Sequence, residues 1–393
     1  MLTHNYPRFE GDFAGVFISL LARRLPECGI EPVIVAPHAP GTPEFEEMDG
    51  VKVYRFRYAA KDEDENLAYH GSMHKLVLGS VSGIFRFKSF LDSFRKAANQ
   101  IISKEGINAL AGHWLVPSGM VMKTINKGRN LPTFMYSHGT DVRLARKYFR
   151  ALYRYLSDFC LNLDGWTVVS NYLKEEMVAL DPRLKNRIEV LPIPHDETVF
   201  FRDESVIRDE NLVVAVTRFT KQKRFDYLLR AFARVLESRP QSKLELYAGG
   251  PLRSDADELI ARFGLSDRVA IHDPVPQPEL RDVYNKAAVV VLNSVEEGFG
   301  LALSEAMLCG TAVIGANSGG IVDIIEHEKT GLLVEADNTD SLAEALLRLL
   351  EERLLRGRLA SAGHEYATGT YASAALAGRY AEIIKRGLVH GHQ

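Results

Sequence analysis

Cysteine is scarce in this chain of 393 residues: only Cys28, Cys160 and Cys309 occur, far apart and outside any CxxC pair. An odd set with that spacing supports neither a disulfide framework nor a zinc site, and it fits a reducing cytosol. No apolar run approaches the roughly 20 residues that cross a bilayer. The N-terminus lacks a basic region followed by an apolar one, so no secretory signal is expected. Neither GxGxxG nor GxxxxGK[ST] stands anywhere in the chain, which argues against NAD or ATP chemistry. With a formal net charge of −3, the basic excess of a nucleic-acid binder is missing as well, and no nucleic-acid partner is expected.

What is present is an ordinary globular composition, 46% apolar and 25% charged. The length exceeds one usual core and predicts two domains of roughly 200 residues each. Residues 1–195 carry 25 Lys+Arg against 21 Asp+Glu, whereas 196–393 carry 23 against 30. That asymmetry favours an anionic partner at the first half.

From Asn211 onward, short β-branched runs alternate with amphipathic stretches: LVVAVTRF, KRFDYLLRAFARVLES, KLELYAGG, SDADELIARFG, RVAIHD, AVVVLN, TAVIGAN and GLLVEAD. Nearly continuous apolar strands separated by helical periodicity predict a parallel sheet covered by helices on both faces, a Rossmann-like lobe. The first half reads the same way through EPVIVAP, VKVYRFR, INALAGH, TFMYSHG and GWTVVS. The expectation is therefore an α/β chain of two doubly wound lobes facing a cleft. Residues 1–195 form the first, 205–365 the second, and 366–393 a C-terminal helix that can pack back on the first; a proline-containing stretch near 190–204 divides them. Only Met1, Leu2 and Thr3 precede His4-Asn5-Tyr6-Pro7, where a strand of five or six residues is usual. The first strand is thus cut short: either the start lies upstream or the strand is incomplete.

The stretch VEEGFGLALSEAM follows the strand AVVVLN. Gly298 and Gly300 allow a tight turn, and the helix opening near Leu301 would aim free N–H groups and its positive dipole end at a phosphate above the sheet edge. Glu297 can accept sugar hydroxyls and Glu305 a ribose; alternatively, Glu305 is a solvated helix residue and Glu297 an acid complementing the dipole. In VTRFTKQKRFDYLL, Arg218 and Lys223 flank a strand-to-helix turn where two cations can neutralise a diphosphate, or where a basic loop is merely solvated.

In the first half, His138 in SHGTD ends a strand and can donate to a hydroxyl or a developing charge, with Asp141 orienting it or an acceptor. Thr140 or Asp141 can equally cap the next helix. His113, beside Trp114, either lines an acceptor pocket or is a hydrogen-bonded histidine next to a core aromatic. Gly11 and Gly15 before the helix VFISLLARRL can let a donor phosphate or an acceptor approach the backbone.

Two DxD patterns, Asp62-Glu63-Asp64 and Asp255-Ala256-Asp257, follow no strand and read as a solvated loop and as helix-dipole acids. Arg143, Arg146, Lys147, Arg150 and Arg154 among Tyr148, Phe149, Leu152, Tyr153 and Tyr155, and the segment 83–97, could each lie on an anionic membrane; each could also be a surface helix with a core-facing stripe.

Together these residues resemble glycosyltransferase family four, the retaining group 1 enzymes of GT-B fold, over nearly the whole chain. The most specific part is Glu297 and Glu305 within EEGFGLALSEAM, followed by CGTAVIGANSGGIVDII and KTGLLVEADNTDSLAEAL. The resemblance implies that Arg218 and Lys223 hold the donor diphosphate and that Glu297 contacts the transferred sugar. It places the backbone of Gly298, Phe299, Gly300 and Leu301 on sugar and phosphates, Glu305 on the ribose, and His138 and the EGDFAG loop in the active site. The chain departs from the family pattern at Arg224, where a glycine is usual, at Asp323 in GGIVD, and at PIPHD. The implied activity is retaining transfer from a nucleotide-diphosphate sugar to a hydroxyl acceptor, a sugar, lipid-linked or small molecule. It proceeds without metal or cofactor, in the cytoplasm or at the inner face of a membrane. A nucleotide-sugar epimerase of the same fold and a silent nucleotide-sugar-binding homologue are the competing readings.

Overall fold

The computed structural model describes residues 1–69, 73–147 and 150–390, the side chains of 147, 150–152 and 390 excepted. The chain divides into two compact units, Met1–Pro194 joined by the residues from Ser373 onward, and His195–Ala372.

The second unit is built on six parallel strands: β8 (Asp209–Arg218), β9 (Lys243–Gly249), β10 (Val269–His272), β11 (Ala287–Leu292), β12 (Ala312–Ala316) and β13 (Leu332–Val334). They lie in the order β10-β9-β8-β11-β12-β13. The chain thus builds outward from β8 on one side, then returns and builds from β11 on the other. The neighbours β8 and β11 mark the switch point, outside whose carboxyl ends open α/β sheets hold their ligands. Every residue of AAVVVL in β11 is buried, as a strand covered on both faces requires. The helix Phe225–Ser238 buries Phe225, Leu228, Leu229, Phe232 and Val235, the stripe that a 3.6-residue period lays on one side.

The first unit contains β1 (Val33–Pro37), β2 (Phe45–Met48), β3 (Val51–Phe56), β4 (Leu110–His113), β5 (Thr133–Ser137), β6 (Gly165–Val168) and β7 (Ile188–Val190). Its ladders run β1-β3-β2 and β4-β5-β6-β7. The short opening segment joins them: Leu2 bridges in parallel to both Val35 and Gly112. Its N–H donates to Ala111 O at 2.7 Å, and its carbonyl accepts from His113 N at 2.9 Å. Three residues therefore fill the central slot of the sheet. The edge strand β2, antiparallel to β3, went unread in the sequence because FEEM is half charged.

The helix Ser373–His390 belongs to the first unit, so the division falls at Ala372 and not at 366. It rests closely on β5 and β6. A Cβ at Gly387 would lie 2.5 Å from the Phe134 ring, and one at Gly165 2.9 Å from Ile383. Within the second unit, His195 N donates to Tyr371 O at 3.0 Å, and His195 pairs with Ala372.

Candidate active site

In the second unit, the carboxyl ends of β8 and β11 gather the residues read from the donor motif. Arg218 is exposed at the end of β8. A single 3-10 turn, Lys221–Lys223, follows it and sets Lys223 in an ion pair with Glu297. Ser294 Oγ donates to the same carboxylate oxygen at 2.8 Å. The loop after β11 is held from two sides: Val295 N donates to Gln222 O at 2.9 Å, and Gly320 N to Glu297 O at 2.7 Å. The second clamp requires glycine. A Cβ at Gly320 would stand 2.4 Å from Gly298 O, and one at Gly319 2.6 Å from the Glu297 backbone. The left-handed residues of this loop are Glu296 (φ 52) and Gly300 (φ 110). Gly300 thus turns the chain into the helix Leu301–Leu308, while Phe299 packs edge-on against Tyr371 at 5.5 Å.

Residues 302–308 of that helix are all buried, Glu305 among them, so Glu305 is not a solvated helix acid. Burial pushes its carboxyl from 4.5 up to about 8, against the lowering effect of a hydrogen bond from Tyr284. Tyr284 Oη donates to Glu305 Oε2 at 2.9 Å. Tyr284 escaped the sequence reading because it sits at helical spacing in PELRDVYNKA, as any core aromatic would. The next residue back, Val283, lines a cavity of about 530 Å³ at the ends of β9 and β10, together with Tyr247, His272, Asp273, Val275 and Glu279. Tyr247 and His272 stack there with centroids 4.7 Å apart. Arg224, where the family pattern has glycine, holds the left-handed conformation that glycine favours (φ 45), with its Nε 2.7 Å from Asp337 Oδ1.

In the first unit the strand ends build a different environment. His113 and His138 close β4 and β5, adjacent parallel strands. Their rings lie 3° from parallel, with His113 Nδ1 3.0 Å from His138 Nε2. Tyr136, Phe17 and Trp114 surround His138 at 4.4, 4.6 and 4.7 Å between centroids, and His4 lies 4.5 Å from Trp114. Burial drives all three imidazoles toward the neutral form: His4 falls to about 4 and His113 to about 3. His138 is held well below its ordinary value by burial, with smaller contributions from His113 and His4.

Asp141 does not orient His138. Its carboxylate accepts Leu115 N at 2.8 Å and Gly139 N at 3.2 Å, so it ties the loop after β4 to the start of the helix Thr140–Lys147, and burial raises its pKa. The ring that orients His138 is His113, which is wholly buried. Gly15 (φ 66) precedes the helix Val16–Arg24 and leaves no room for a side chain, since a Cβ would lie 2.4 Å from Asn5 O. Gly11 (φ 84) faces open space. Between them Asp12 closes the loop on Arg8, with Arg8 Nε 2.7 Å away, and leaves Phe9 and Phe13 exposed.

Each DxD pattern has an aspartate engaged with an arginine. Asp62 pairs with Arg57, and Asp257 lies 3.3 Å from Arg253 of its own helix. Among the described residues, the one cluster with metal-ligand spacing is His38, Asp62 and Glu65 in the first unit. Its donors are already engaged: His38 Nδ1 meets Glu65 at 2.5 Å, and His38 Nε2 meets Thr42 O at 2.8 Å. Of the basic-aromatic stretch at 141–159, Tyr148, Phe149 and the side chains of Lys147, Arg150 and Leu152 lie outside the described residues. In the segment 83–97, Phe90 and Phe94 are buried, whereas Ile84 and Phe85, with Val81 just before them, are exposed.

Comparison with known proteins adds two family profiles, one on each unit. Residues 14–199 match Glycosyltransferase Family 4, and residues 196–366 match Glycosyl transferases group 1. An uncharacterised glycosyltransferase of Methanocaldococcus jannaschii is 27% identical over 282 residues, 72% of this chain and 76% of that protein. Among solved structures, a sucrose-phosphate synthase from Thermosynechococcus elongatus superposes with a TM-score of 0.79 at 22% identity over 99% of both chains. HepE of Anabaena, solved with UDP-glucose, gives 0.73 at 16% identity over 98% of both. These likenesses show the shared GT-B fold. With a glycosyltransferase profile on each half and the donor motif at the switch point of the second sheet, the chain belongs to the glycosyltransferases of group 1 and family four.

Proposed function

We propose that this glycosyltransferase moves a sugar from a nucleotide-diphosphate sugar to a hydroxyl acceptor with retention at the anomeric carbon. The observation that carries this reading is the set of groups at the β8–β11 switch point: Lys223 and Arg218, Glu297, the start of the helix Leu301–Leu308, and buried Glu305. Two cations and a helix N-terminus suit a diphosphate, and a carboxylate on either side of them suits hydroxyls of a sugar and of a ribose. UDP-glucose in HepE, a protein of the same fold, supports this class of donor. The cavity walled by Tyr247, His272 and Val283 gives a base somewhere to lie beyond the ribose.

In this mechanism Lys223, Arg218 and the helix N–H groups stabilise negative charge as the diphosphate leaves. The leaving phosphate, on the face from which the acceptor attacks, takes the acceptor's proton, so no strong protein base is needed. His138, neutral and wedged among aromatic rings, can donate a hydrogen bond but is too weak a base to take a proton. The cations do the work a metal does elsewhere, so the reaction proceeds without metal or cofactor. The exposed Val81, Ile84 and Phe85, beside Arg86 and Lys88, suit peripheral contact with an anionic membrane from the cytoplasmic side.

A panel of UDP- and GDP-sugars, with sugar, lipid-linked and small-molecule acceptors and a chelator present, tests the proposal. Expected is a product whose anomeric configuration by NMR matches the donor's. Inversion, or epimer formed from nucleotide sugar alone, overturns it.

A further inference from the structure

The role given to Glu305 leaves unexplained how one buried carboxylate is aimed. A glutamate side chain has three rotatable bonds, and a carboxylate removed from water without hydrogen-bond donors is costly. Tyr284 supplies the donor. It is wholly buried, it comes from the helix Gln277–Lys286, and it reaches Glu305 Oε2 at 2.9 Å. Its own backbone is pinned where Thr311 Oγ1 donates to Tyr284 O at 2.7 Å, and Phe200 lies 6.2 Å from its ring. The same helical turn presents Val283 to the cavity at the ends of β9 and β10, so the hydroxyl that holds the carboxylate and the cavity wall come from consecutive residues, Tyr284 and Val283.

We propose that Tyr284 is a positioning residue of the donor site: by holding Oε2 it turns Glu305 so that the carboxylate accepts both vicinal hydroxyls of a ribose, and it thereby sets a preference for ribonucleotides over 2′-deoxyribonucleotides. This rests on the reading of Glu305 as the ribose contact. A vicinal diol offers two O–H donors to a carboxylate, and a 2′-deoxyribose only one. A carboxylate free to rotate would lose the second contact as well, and the two sugars would then bind alike. A tyrosine that merely filled the core would affect both equally.

The test is calorimetric titration of the full chain with UDP, GDP and their 2′-deoxy counterparts at pH 9, above the value of about 8 to which burial pushes Glu305, where it is a carboxylate. The wild-type protein is expected to prefer the ribose form of whichever nucleotide it binds by about 10-fold, the worth of a hydrogen bond to a charged group. Tyr284→Phe, which keeps the ring, is expected to reduce that preference to about 3-fold or less while affinity for the deoxynucleotide hardly changes. Tyr284→Met serves the same comparison if the phenylalanine variant does not fold. In a Glu305→Ala background, Tyr284→Phe is expected to change nothing further, as for a residue acting through its partner. An unchanged ribose preference in Tyr284→Phe, or an equal loss for both sugars, overturns the proposal. If Glu305→Ala abolishes the preference while Tyr284→Phe retains it, only the role of Tyr284 falls. If wild-type protein binds none of the four, or Glu305→Ala keeps the preference, the donor-site reading falls and Tyr284's role with it.

Discussion

The two units end their strands in opposite kinds of environment. At the carboxyl edge of the second sheet, opposite charges meet: Lys223 pairs with Glu297, Arg218 stands exposed, and Glu305 is a carboxyl pushed up to about 8. At the ends of β4 and β5, buried His113 and half-buried His138, with half-buried His4 of the opening segment beside them, lie among Phe17, Trp114 and Tyr136 and resist protonation. One edge carries charged groups, the other neutral polar groups in an aromatic frame. A fold used twice has been given two chemistries by the side chains at its strand ends.

The sharpest way to break this contrast is to remove charge from the second unit. Lys223→Ala and Glu297→Ala are each expected to lower kcat/KM for transfer by about 10²-fold or more, as for a lost contact to developing charge. Near wild-type rates in both would mean that the charged edge does not hold the donor. In the first unit the expected loss is smaller, because a neutral hydrogen bond is worth less: His138→Ala is expected to cost about 10-fold. Its imidazole is already neutral, so the pH–rate profile of wild-type protein should show no step at the ordinary histidine value of 6.5.

Stability should carry the same contrast with opposite signs. Between the folded values of His4 and His113, about 4 and about 3, and their ordinary 6.5, the unfolded chain binds more protons. Their contribution therefore grows as pH rises through that window and is lost as pH falls. Glu305 works the other way. Between 4.5 and about 8 the folded chain holds the extra proton, so its contribution declines as pH rises. Thermal unfolding across pH should show Glu305→Gln flattening the alkaline side of the Tm profile and His113→Phe flattening the acid side; a single substitution that flattens both would dissolve the distinction. The smallest effect is expected at Arg224→Gly, which relieves a left-handed residue and forfeits a half-exposed ion pair with Asp337. These nearly offset, leaving a gain of no more than about 1 kcal/mol by denaturant midpoint.

The gathering of charged groups at the second unit's sheet edge was largely legible in the sequence because they lie within one short motif or at strand ends next to it. Glu297, Glu305 and the turn at Gly300 come from thirteen consecutive residues, and Lys223 from the turn after the neighbouring strand. Gly319 and Gly320 belong to the quoted motif, but their tight fit against Glu297 and Gly298 depends on a loop folding back, which spacing does not convey. Tyr284 stayed hidden because its hydroxyl acts across 21 residues from a helix whose pattern is fully explained by packing. In the first unit, His113 and His138 could each be placed at a strand end. Their mutual bond depends on β4 and β5 being neighbours in register, and that is decided by the whole sheet. For Asp141 the sequence left two roles open, orienting a neighbour or capping the next helix; its bonds to Leu115 N and Gly139 N are of the second kind.

The pairing of His195 with Ala372 has a practical side. A unit whose first and last residues lie next to each other is topologically an insert, since the chain enters and leaves it at one spot. The stretch His195–Ala372 could be lifted out as one uninterrupted gene segment, and the remaining pieces, ending at Pro194 and starting at Ser373, could be rejoined by a short linker. The halves of this glycosyltransferase are thus natural units of exchange, and the corresponding unit of a relative could be grafted at a single seam.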